Sequence, residues 1–387
     1  MKKNAFFFAL LFTLLLILGV GVGVLLARFS APVPTPTSPP ETAAPEVTEA
    51  PIPTVLPEAC GHPAYENGLC VLCGTACTHP FHGTDGRCLL CGERVKHRFV
   101  DGACACGAKR DLRVTLLPER FYTPCDEEGS LVTWSYQTVM WGTGVPVTVK
   151  ADFYVPYGYD PGKQYNVLVL LHGLLTTERS WLDEPLTLAD GREFEMRWIY
   201  DHMIREGMIE PLIIVSASQY LYNGESKYKS SYEQMASEIQ NMILPYTASF
   251  LSTYAAAGDA ESLIAAREHF AIGGNSWGSY YTYDTGMSQS LPYFASFLCF
   301  SGDAATAYVA ESIEKQGDYP IRLYYSAAGD RDVARGGEES CFYTIVPLVE
   351  RLRDGENAFC HICVGEHDWD TWSIEIYNAL QLLYQGG

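Results

Sequence analysis

The hydrophobic and polar positions of residues 111–387 follow two patterns that predict different secondary structures. Residues 131–136 and 147–155 alternate between apolar and polar side chains, as antiparallel strands do when one face of the sheet is exposed to solvent. Short, mostly apolar runs then predict buried strands over residues 167–171, 212–215, 270–272, 294–300, 321–325 and 359–364. Helices are predicted between and after them, over residues 197–206, 232–254, 338–352 and 371–383. This alternation indicates an α/β fold, with antiparallel N-terminal strands and a mostly parallel sheet covered on both faces.

The N-terminal 30 residues show a targeting pattern. Lys2 and Lys3 precede residues 5–27, which carry no charged side chain. A helix of that length spans roughly 34 Å, enough to cross the hydrocarbon core of a bilayer. We therefore predict a transmembrane signal anchor over residues 1–30, which makes the protein a single-pass protein of the cell membrane. The alternative is secretion after signal cleavage, and in both cases the rest of the chain is expected outside the cell.

Residues 31–58 and 59–110 are predicted to be a linker and a small repeat module. The linker holds nine prolines, five threonines and no glycine, a composition that favours extended polyproline II structure. Each full repeat of the module offers Cys-x-His followed by Cys-x-x-Cys-Gly, and the third repeat is degenerate. The candidate metal ligands are Cys60, His62, Cys70 and Cys73, then Cys77, His79, Cys88 and Cys91, then His97, Cys104 and Cys106.

Two interpretations of this module stay open. Three thiolates and one imidazole in each full copy suit a closed tetrahedral site, so the repeated histidine spacing favours structural zinc. Disulfides are the alternative, because the module is expected to be exported. The repeats resemble cysteine-rich, zinc-ribbon-like modules of bacterial surface proteins, and nothing in the sequence identifies their partner.

Charge separates the module from the region that follows it. The chain has a formal net charge of −20, and residues 111–387 hold 17 Lys and Arg against 38 Asp and Glu. A surface this acidic argues against a nucleic-acid partner. Apolar residues make up 48% of the chain, enough for one large core beside the smaller module.

The segment 274–278 reads Gly-Asn-Ser-Trp-Gly and directly follows a predicted strand. Strand, Gly-x-Ser-x-Gly and helix are the layout of a nucleophile elbow, in which a sharp turn holds the serine in strained backbone geometry. Glycines are needed on either side because a side chain there would meet the neighbouring strand or helix. Ser276 is therefore a candidate nucleophile.

Further candidate groups follow other predicted strands, at the edge where parallel sheets gather their chemistry. His367 can take the proton of Ser276 because an imidazole titrates near neutrality, and a carboxylate must then orient it. Asp303, Asp330 and Asp332 are the candidate carboxylates. The backbone N–H groups of Trp277 and Leu174 are the expected oxyanion donors. This chemistry needs no catalytic cofactor.

Other polar groups after or within these strands are weaker candidates. His172 and Gly173 are expected to shape a turn at the edge of the substrate site. Cys360 and Cys363 form a Cys-x-x-Cys inside a predicted strand, where successive positions alternate faces. We expect them to be buried rather than to form a redox or metal pair.

Residues 112–385 resemble the esterase D-like α/β-hydrolases. Within that group, they are similar to the feruloyl-esterase-like branch of carbohydrate esterase family one. The motifs that carry the likeness span residues 171–173, 209–215, 273–278, 300–303, 327–334 and 365–369. The resemblance implies that the triad acid is Asp332, three residues after Gly329, with Asp330 as the fallback. The chain departs from the family at Trp277 and at residues 304–306, where an aromatic acyl contact is missing. Trp277 or Trp181 is therefore expected to pack against the acyl group.

These expectations combine into one leading function and two rivals. The leading function is an extracellular serine esterase that cleaves a feruloyl- or acetyl-like ester, on a carbohydrate or another small molecule, through an acyl-enzyme. One rival is a catalytically weak binding or scaffold protein at the cell surface, attached to the membrane by its N-terminal helix. The other is an exported acyltransferase or peptidase.

Overall fold

The structure is a computed structural model that describes residues 115–384 and, before them, 65–66, 69–70, 88–90, 99–100 and 103–104. Two short antiparallel pairs fall in the repeat module, Tyr65–Glu66 with Leu69–Cys70 and Phe99–Val100 with Ala103–Cys104. The predicted membrane segment 1–30, the linker 31–58 and most candidate zinc ligands lie outside the described residues. Within the described ranges, no helix is long and apolar enough to span a membrane. No group of three or more His, Cys, Asp or Glu there could hold a metal ion.

A ten-stranded sheet forms the centre of residues 115–384. Its strands are β1 Ser130–Val139, β2 Pro146–Val155, β3 Asn166–Leu171, β4 Leu212–Ala217, β5 Tyr220–Asn223, β6 Ser226–Lys229, β7 Phe270–Asn275, β8 Ser296–Phe300, β9 Leu323–Gly329 and β10 Ala358–Cys363. The order across the sheet is β6-β5-β2-β4-β3-β7-β8-β9-β10, and β1 pairs along β2. The six strands from β4 to β10 in that order are parallel, whereas β1, β2, β5 and β6 pair antiparallel.

Eight α-helices of residues 115–384 accompany the sheet. They are α1 Met196–Arg205, α2 Tyr232–Glu238, α3 Leu244–Phe250, α4 Ala260–Ala265, α5 Trp277–Tyr281, α6 Thr306–Lys315, α7 Arg335–Leu348 and α8 Trp369–Leu380. Turns of π-helix at Ile239–Ile243 and Thr282–Met287 continue α2 and α5. The helix predicted over 232–254 is therefore three consecutive segments, and it ends at Phe250.

The sheet divides the apolar side chains between two cores. Val167, Val169 and Leu171 face one cluster, while Leu168 and Leu170 face the other, and all five are fully buried. Successive side chains of a strand point to opposite faces, so a continuous apolar run supplies both layers at once. Burying a side chain of this kind stabilises the fold by about 1.5–3 kcal/mol.

The cysteines predicted to be buried in the last strand are buried. Cys360 and Cys363 lie in β10 and are 2% and 4% exposed. Burial raises the pKa of the Cys363 thiol, which keeps it protonated near neutral pH.

The first described segment of this region packs against the last helix. The backbone N–H of Thr115 donates to Asn378 Oδ1 over 2.9 Å, and Asn378 Nδ2 donates back to the Thr115 carbonyl over 2.9 Å. Tyr122 Oη lies 3.0 Å from Ser373 Oγ on the same helix. The mixed sheet with helices on both faces fits the α/β-hydrolase class expected from the resemblance.

Candidate active site

The turn between β7 and α5 has the geometry of a nucleophile elbow. Ser276 alone joins the strand to the helix, with φ 52° and ψ −116°. Its backbone N–H donates to the Phe300 carbonyl over 2.8 Å, which ties the turn to β8. A Cβ atom at Gly274 would lie 2.4 Å from the Leu171 carbonyl oxygen, and one at Gly278 would lie 2.0 Å from it. Both glycines are required because the end of β3 passes this close to the turn.

Ser276, His367 and Asp332 form one hydrogen-bonded series. His367 Nε2 lies 2.8 Å from Ser276 Oγ, and His367 Nδ1 lies 2.8 Å from Asp332 Oδ1. If Nδ1 carries the proton and donates to the carboxylate, Nε2 can accept the proton of the serine. The imidazole is thereby oriented as a general base towards Ser276.

Of the three candidate carboxylates, Asp332 is the one that hydrogen-bonds to His367. It is 7% exposed, and it also accepts from the backbone N–H of Ala334 over 2.7 Å. Burial alone raises the pKa of Asp332, but the hydrogen bond and charge of His367 bring that pKa below its usual value. Asp330 instead accepts from the backbone N–H of Gly365 over 2.9 Å. Asp303 accepts from the N–H of its neighbour Ala304 over 2.7 Å.

The loop that carries His367 is fixed by its own contacts. Trp372 stands edge-on to the imidazole with ring centroids 5.0 Å apart, and its Nε1 donates to Ser301 Oγ over 3.0 Å. Asp368 caps α8 by accepting from the backbone N–H of Thr371 over 3.0 Å. The base is thus held by packing on one side and by the helix start on the other.

The two expected oxyanion donors have unused N–H groups. Within residues 115–384, neither the backbone N–H of Leu174 nor that of Trp277 donates a hydrogen bond. Trp277 is the first residue of α5, where a helix leaves N–H groups without an internal partner. Leu174 lies in a tight turn after β3, where Thr176 donates from its Oγ1 to the Gly173 carbonyl over 2.8 Å and Leu175 has φ 69°.

The sequence places His172 at the edge of the substrate site and Trp181 against the acyl group, but neither side chain can contact a substrate in the structure. Each side chain is fully buried and presents no surface to a ligand. Trp181 Nε1 donates to the Leu171 carbonyl over 3.0 Å, so this indole supports the end of β3 from inside the core. His172 Nδ1 lies 2.8 Å from the Gly173 carbonyl, and burial lowers the pKa of His172 to about 4. It is a neutral group that shapes the turn, whereas Trp277 stays partly exposed beside Ser276.

Glu338 is a residue of the site that sequence reasoning missed. Its carboxylate is fully buried behind the elbow, on α7. It accepts from the backbone N–H of Gly302 over 2.6 Å, from Ser326 Oγ over 2.7 Å and from Tyr283 Oη over 2.5 Å. Ser279 Oγ, one turn beyond the nucleophile, lies 3.4 Å away. No local signal marks Glu338, because its partners come from four separate elements.

No family model matches the chain. The chain is 29% identical over 244 residues to endo-1,4-beta-xylanase Y of Acetivibrio thermocellus, a match that covers 61% of this chain. It spans only 20% of that relative's length. The likeness therefore concerns one part of a much larger protein.

Many solved structures are similar to this chain, and three of them illustrate the shared fold. One, a structure of FAE, is 26% identical, with a TM-score of 0.61, over 72% of this chain and 95% of that one. A serine-to-alanine mutant of the feruloyl esterase module from Clostridium thermocellum, complexed with sinapinate, is 25% identical with the same TM-score and the same coverage. A CE1 ferulic acid esterase from Anaeromyces mucronatus, complexed with ferulic acid, is 18% identical over 71% of this chain and 98% of that one. Its TM-score of 0.53 supports the fold.

Proposed function

We propose that residues 111–387 are a serine carboxylic-ester hydrolase that acts on a feruloyl- or acetyl-like ester, carried by a carbohydrate. The observation that supports this most directly is the series of two 2.8 Å contacts from Ser276 through His367 to Asp332. The similarity to the feruloyl esterase module, at 25% identity over 95% of that chain, supports the same class of substrate.

The geometry suits a two-step acyl transfer. Ser276 Oγ attacks the ester carbonyl carbon while His367 Nε2 takes its proton, and Asp332 stabilises the imidazolium. The N–H groups of Trp277 and Leu174 would bind the oxyanion of the tetrahedral intermediate. As that intermediate collapses, His367 gives its proton to the departing alcohol. A water molecule then attacks the acyl-enzyme by the same route in reverse and releases the acid.

The rest of the chain gives this activity a proposed setting. We infer an anchor at 1–30, a linker at 31–58 and an extracellular catalytic region. The donor set of the 59–110 module, with three thiolates and one imidazole in each full copy, fits about two structural zinc ions. Metal analysis and thiol titration of the purified chain test this, since blocked thiols without zinc would establish disulfides instead.

Hydrolysis by the wild type and by Ser276→Ala tests the catalytic proposal. Release of p-nitrophenol from a short-chain ester and of ferulate from a feruloylated oligosaccharide should fall by at least about 1,000-fold in the variant, as in other triad enzymes. Ser249→Ala, at an exposed position of α3, is the matched control and should keep full activity. Equal rates in wild type and Ser276→Ala would refute the assignment of the nucleophile.

Two further readouts separate the rival functions. A fluorophosphonate probe should label the wild type at Ser276, whereas a protein that only retains the fold would stay unlabelled. Product analysis with an added acceptor alcohol distinguishes released acid from a transferred acyl group. A transferred product in excess over free acid would identify an acyltransferase.

A further inference from the structure

A patch of lysines and aromatic rings lies on the hairpin of β5 and β6, beside the elbow. Tyr220 pairs with Lys229 and Tyr222 pairs with Lys227 across this hairpin, which places the four side chains on one face. Strand β2 continues that face, because Thr148 pairs with Tyr222 and Lys150 follows two residues later. We call it the basic aromatic face, and its members are Lys150, Tyr220, Tyr222, Lys227, Lys229 and Trp277.

Each lysine of the face lies over a ring. Lys227 Nζ is 3.6 Å from the centroid of the Tyr220 ring, and Lys229 Nζ is 5.0 Å from that of Trp277. Lys150 Nζ is 4.4 Å from the centroid of Tyr222. Cation–π contacts at exposed sites contribute only about 0.5–1 kcal/mol, so the flexible lysines can leave the rings when a better partner arrives.

Two of these positive charges are not neutralised. Among the ion pairs of residues 115–384, none includes Lys227 or Lys229, whereas Lys150 has Glu178 Oε1 at 4.0 Å. Both residues belong to β6, whose four residues are all exposed. A small positive site on a chain of net charge −20 attracts one or two anionic groups, while the surrounding acidic surface repels a long polyanion such as a nucleic acid.

The face reaches the reacting centre from two directions. Trp277 directly follows Ser276, and its ring contacts Tyr220 with centroids 5.2 Å apart. Tyr220 Oη accepts from the backbone N–H of Leu175 over 3.2 Å, next to the expected oxyanion donor Leu174. A group bound on this face would therefore lie beside an ester held at Ser276.

We propose that the basic aromatic face binds a carboxylate-bearing sugar, a uronate, in the alcohol part of the ester substrate. This inference rests on the proposed esterase function and narrows its substrate to acidic oligosaccharides. Lys227 and Lys229 would pair with the carboxylate. The partly exposed ring of Trp277 would pack against the apolar face of the sugar, in place of the acyl contact expected from the sequence. A carboxylate suits two unpaired ammonium groups, whereas a neutral xylose or arabinose residue would leave both charges without a partner.

Binding to the full-length Ser276→Ala protein tests this without depending on turnover. Calorimetric titration should show an aldouronic oligosaccharide binding at least about 10-fold more tightly than the neutral oligosaccharide of equal length, the difference expected for hydrogen bonds to a charged group. The charge-reversed K227E/K229E protein should lose that preference, and Lys163→Gln, at an exposed position between β2 and β3, should keep it. Circular dichroism checks that each variant is folded.

The outcomes separate the two proposals. Equal affinity for acidic and neutral oligosaccharides would overturn the inference, as would a preference that survives K227E/K229E. Stronger competition by inorganic phosphate or a single-stranded oligonucleotide than by glucuronate would also overturn it, because the site would then serve another anion. The esterase proposal fails separately, if the wild type hydrolyses neither feruloylated nor acetylated oligosaccharides, whether neutral or acidic. In turnover, the kcat/KM ratio of acidic to neutral ester should fall about 10-fold in K227E/K229E.

Discussion

Removing the buried carboxylate of Glu338 should destabilise the structure that supports the nucleophile elbow, although Glu338 does not contact Ser276, His367 or Asp332. Glu338→Ala removes the acceptor of the Gly302 N–H and of the Ser326 and Tyr283 hydroxyls. Glu338→Gln keeps the volume and one oxygen that accepts from Gly302, while its amide can donate to hydroxyls whose protons rotate. Glu338→Gln therefore measures the loss of the charge alone, whereas Glu338→Ala measures the loss of the charge, the acceptor and the side-chain volume together.

The expected magnitudes follow from these contacts. An unsatisfied buried N–H at Gly302 costs about 1–3 kcal/mol, and the cavity left by the side chain costs about 2 kcal/mol. Relief from burying the charge offsets part of this, so Glu338→Ala should lower the free energy of unfolding by about 3 kcal/mol. Glu338→Gln should lower it by about 1 kcal/mol.

The pH dependence adds a second readout. Burial raises the pKa of Glu338 above its usual value, although its hydrogen bonds act in the opposite direction. The folded state then holds a proton that the unfolded state has lost, so this group stabilises the fold less as pH rises above about 4.5. The deficit of Glu338→Gln relative to the wild type should therefore be largest at low pH and shrink as pH rises.

Urea unfolding from pH 4 to pH 8, with parallel esterase assays, measures both effects. Glu311→Gln is the control, because that carboxylate is 62% exposed on α6. If Glu338→Ala unfolds with the same free energy as Glu338→Gln, the buried acceptor does not stabilise the elbow and the reasoning is refuted.

Three other predictions concern the elbow, the acid and the buried imidazole. Gly278→Ala should lower the free energy of thermal unfolding by about 1–3 kcal/mol and remove most of the activity, because its Cβ would lie 2.0 Å from the Leu171 carbonyl oxygen. Gly336→Ala has open space around its Cβ and should change neither stability nor activity. If the two variants lose the same stability, the packing argument for the elbow is wrong. Asp332→Asn should lower kcat at least about 1,000-fold and Asp330→Asn less than about 10-fold, since only the first orients His367, and the reverse ranking would make Asp330 the acid. Burial lowers the pKa of His172 to about 4; the charge of Lys227 acts in the same direction and the hydrogen bond to Gly173 in the opposite one. Because the unfolded state gains this proton at a higher pH, His172 alone should make the free energy of unfolding about 2 kcal/mol lower at pH 5 than at pH 7. His172→Asn should remove that share of the pH dependence, and an unchanged dependence would show that another group causes it.

The strands were the most predictable part of the fold. Residues 270–272 are a continuous apolar run and residues 321–325 are apolar except for Arg322. Both fall in or overlap buried parallel strands of the sheet, β7 and β9. Helix bounds differ from the prediction by up to four residues, as for α7, which begins at Arg335 rather than 338. Polar residues before the first apolar position extend a helix without any periodic signal.

The site could be predicted only as far as local sequence determines it. The elbow serine is marked by its own neighbours, but Asp330 and Asp332 stand two residues apart in one loop, and the resemblance rather than the local sequence favoured the second. The burial of Trp181 depends on the carbonyl of Leu171, and that contact is set by tertiary packing. The hydrogen bonds of Glu338 come from strands and helices up to 59 residues away in the chain, so they could not be predicted from its neighbours in the sequence.

The hydrogen bonds between Thr115 and Asn378 join positions 263 residues apart. Within residues 115–384, the segment before β1 is synthesised first and its partner α8 last. That segment must therefore wait for the rest of this region before its native contacts can form, and closing so long a loop is slow. Pulse-labelled hydrogen exchange should find the amide of Thr115 among the last to gain protection. The same closeness of the two ends makes this region a good candidate for circular permutation, with a short linker from 384 to 115 and new termini in an exposed loop such as 160–164.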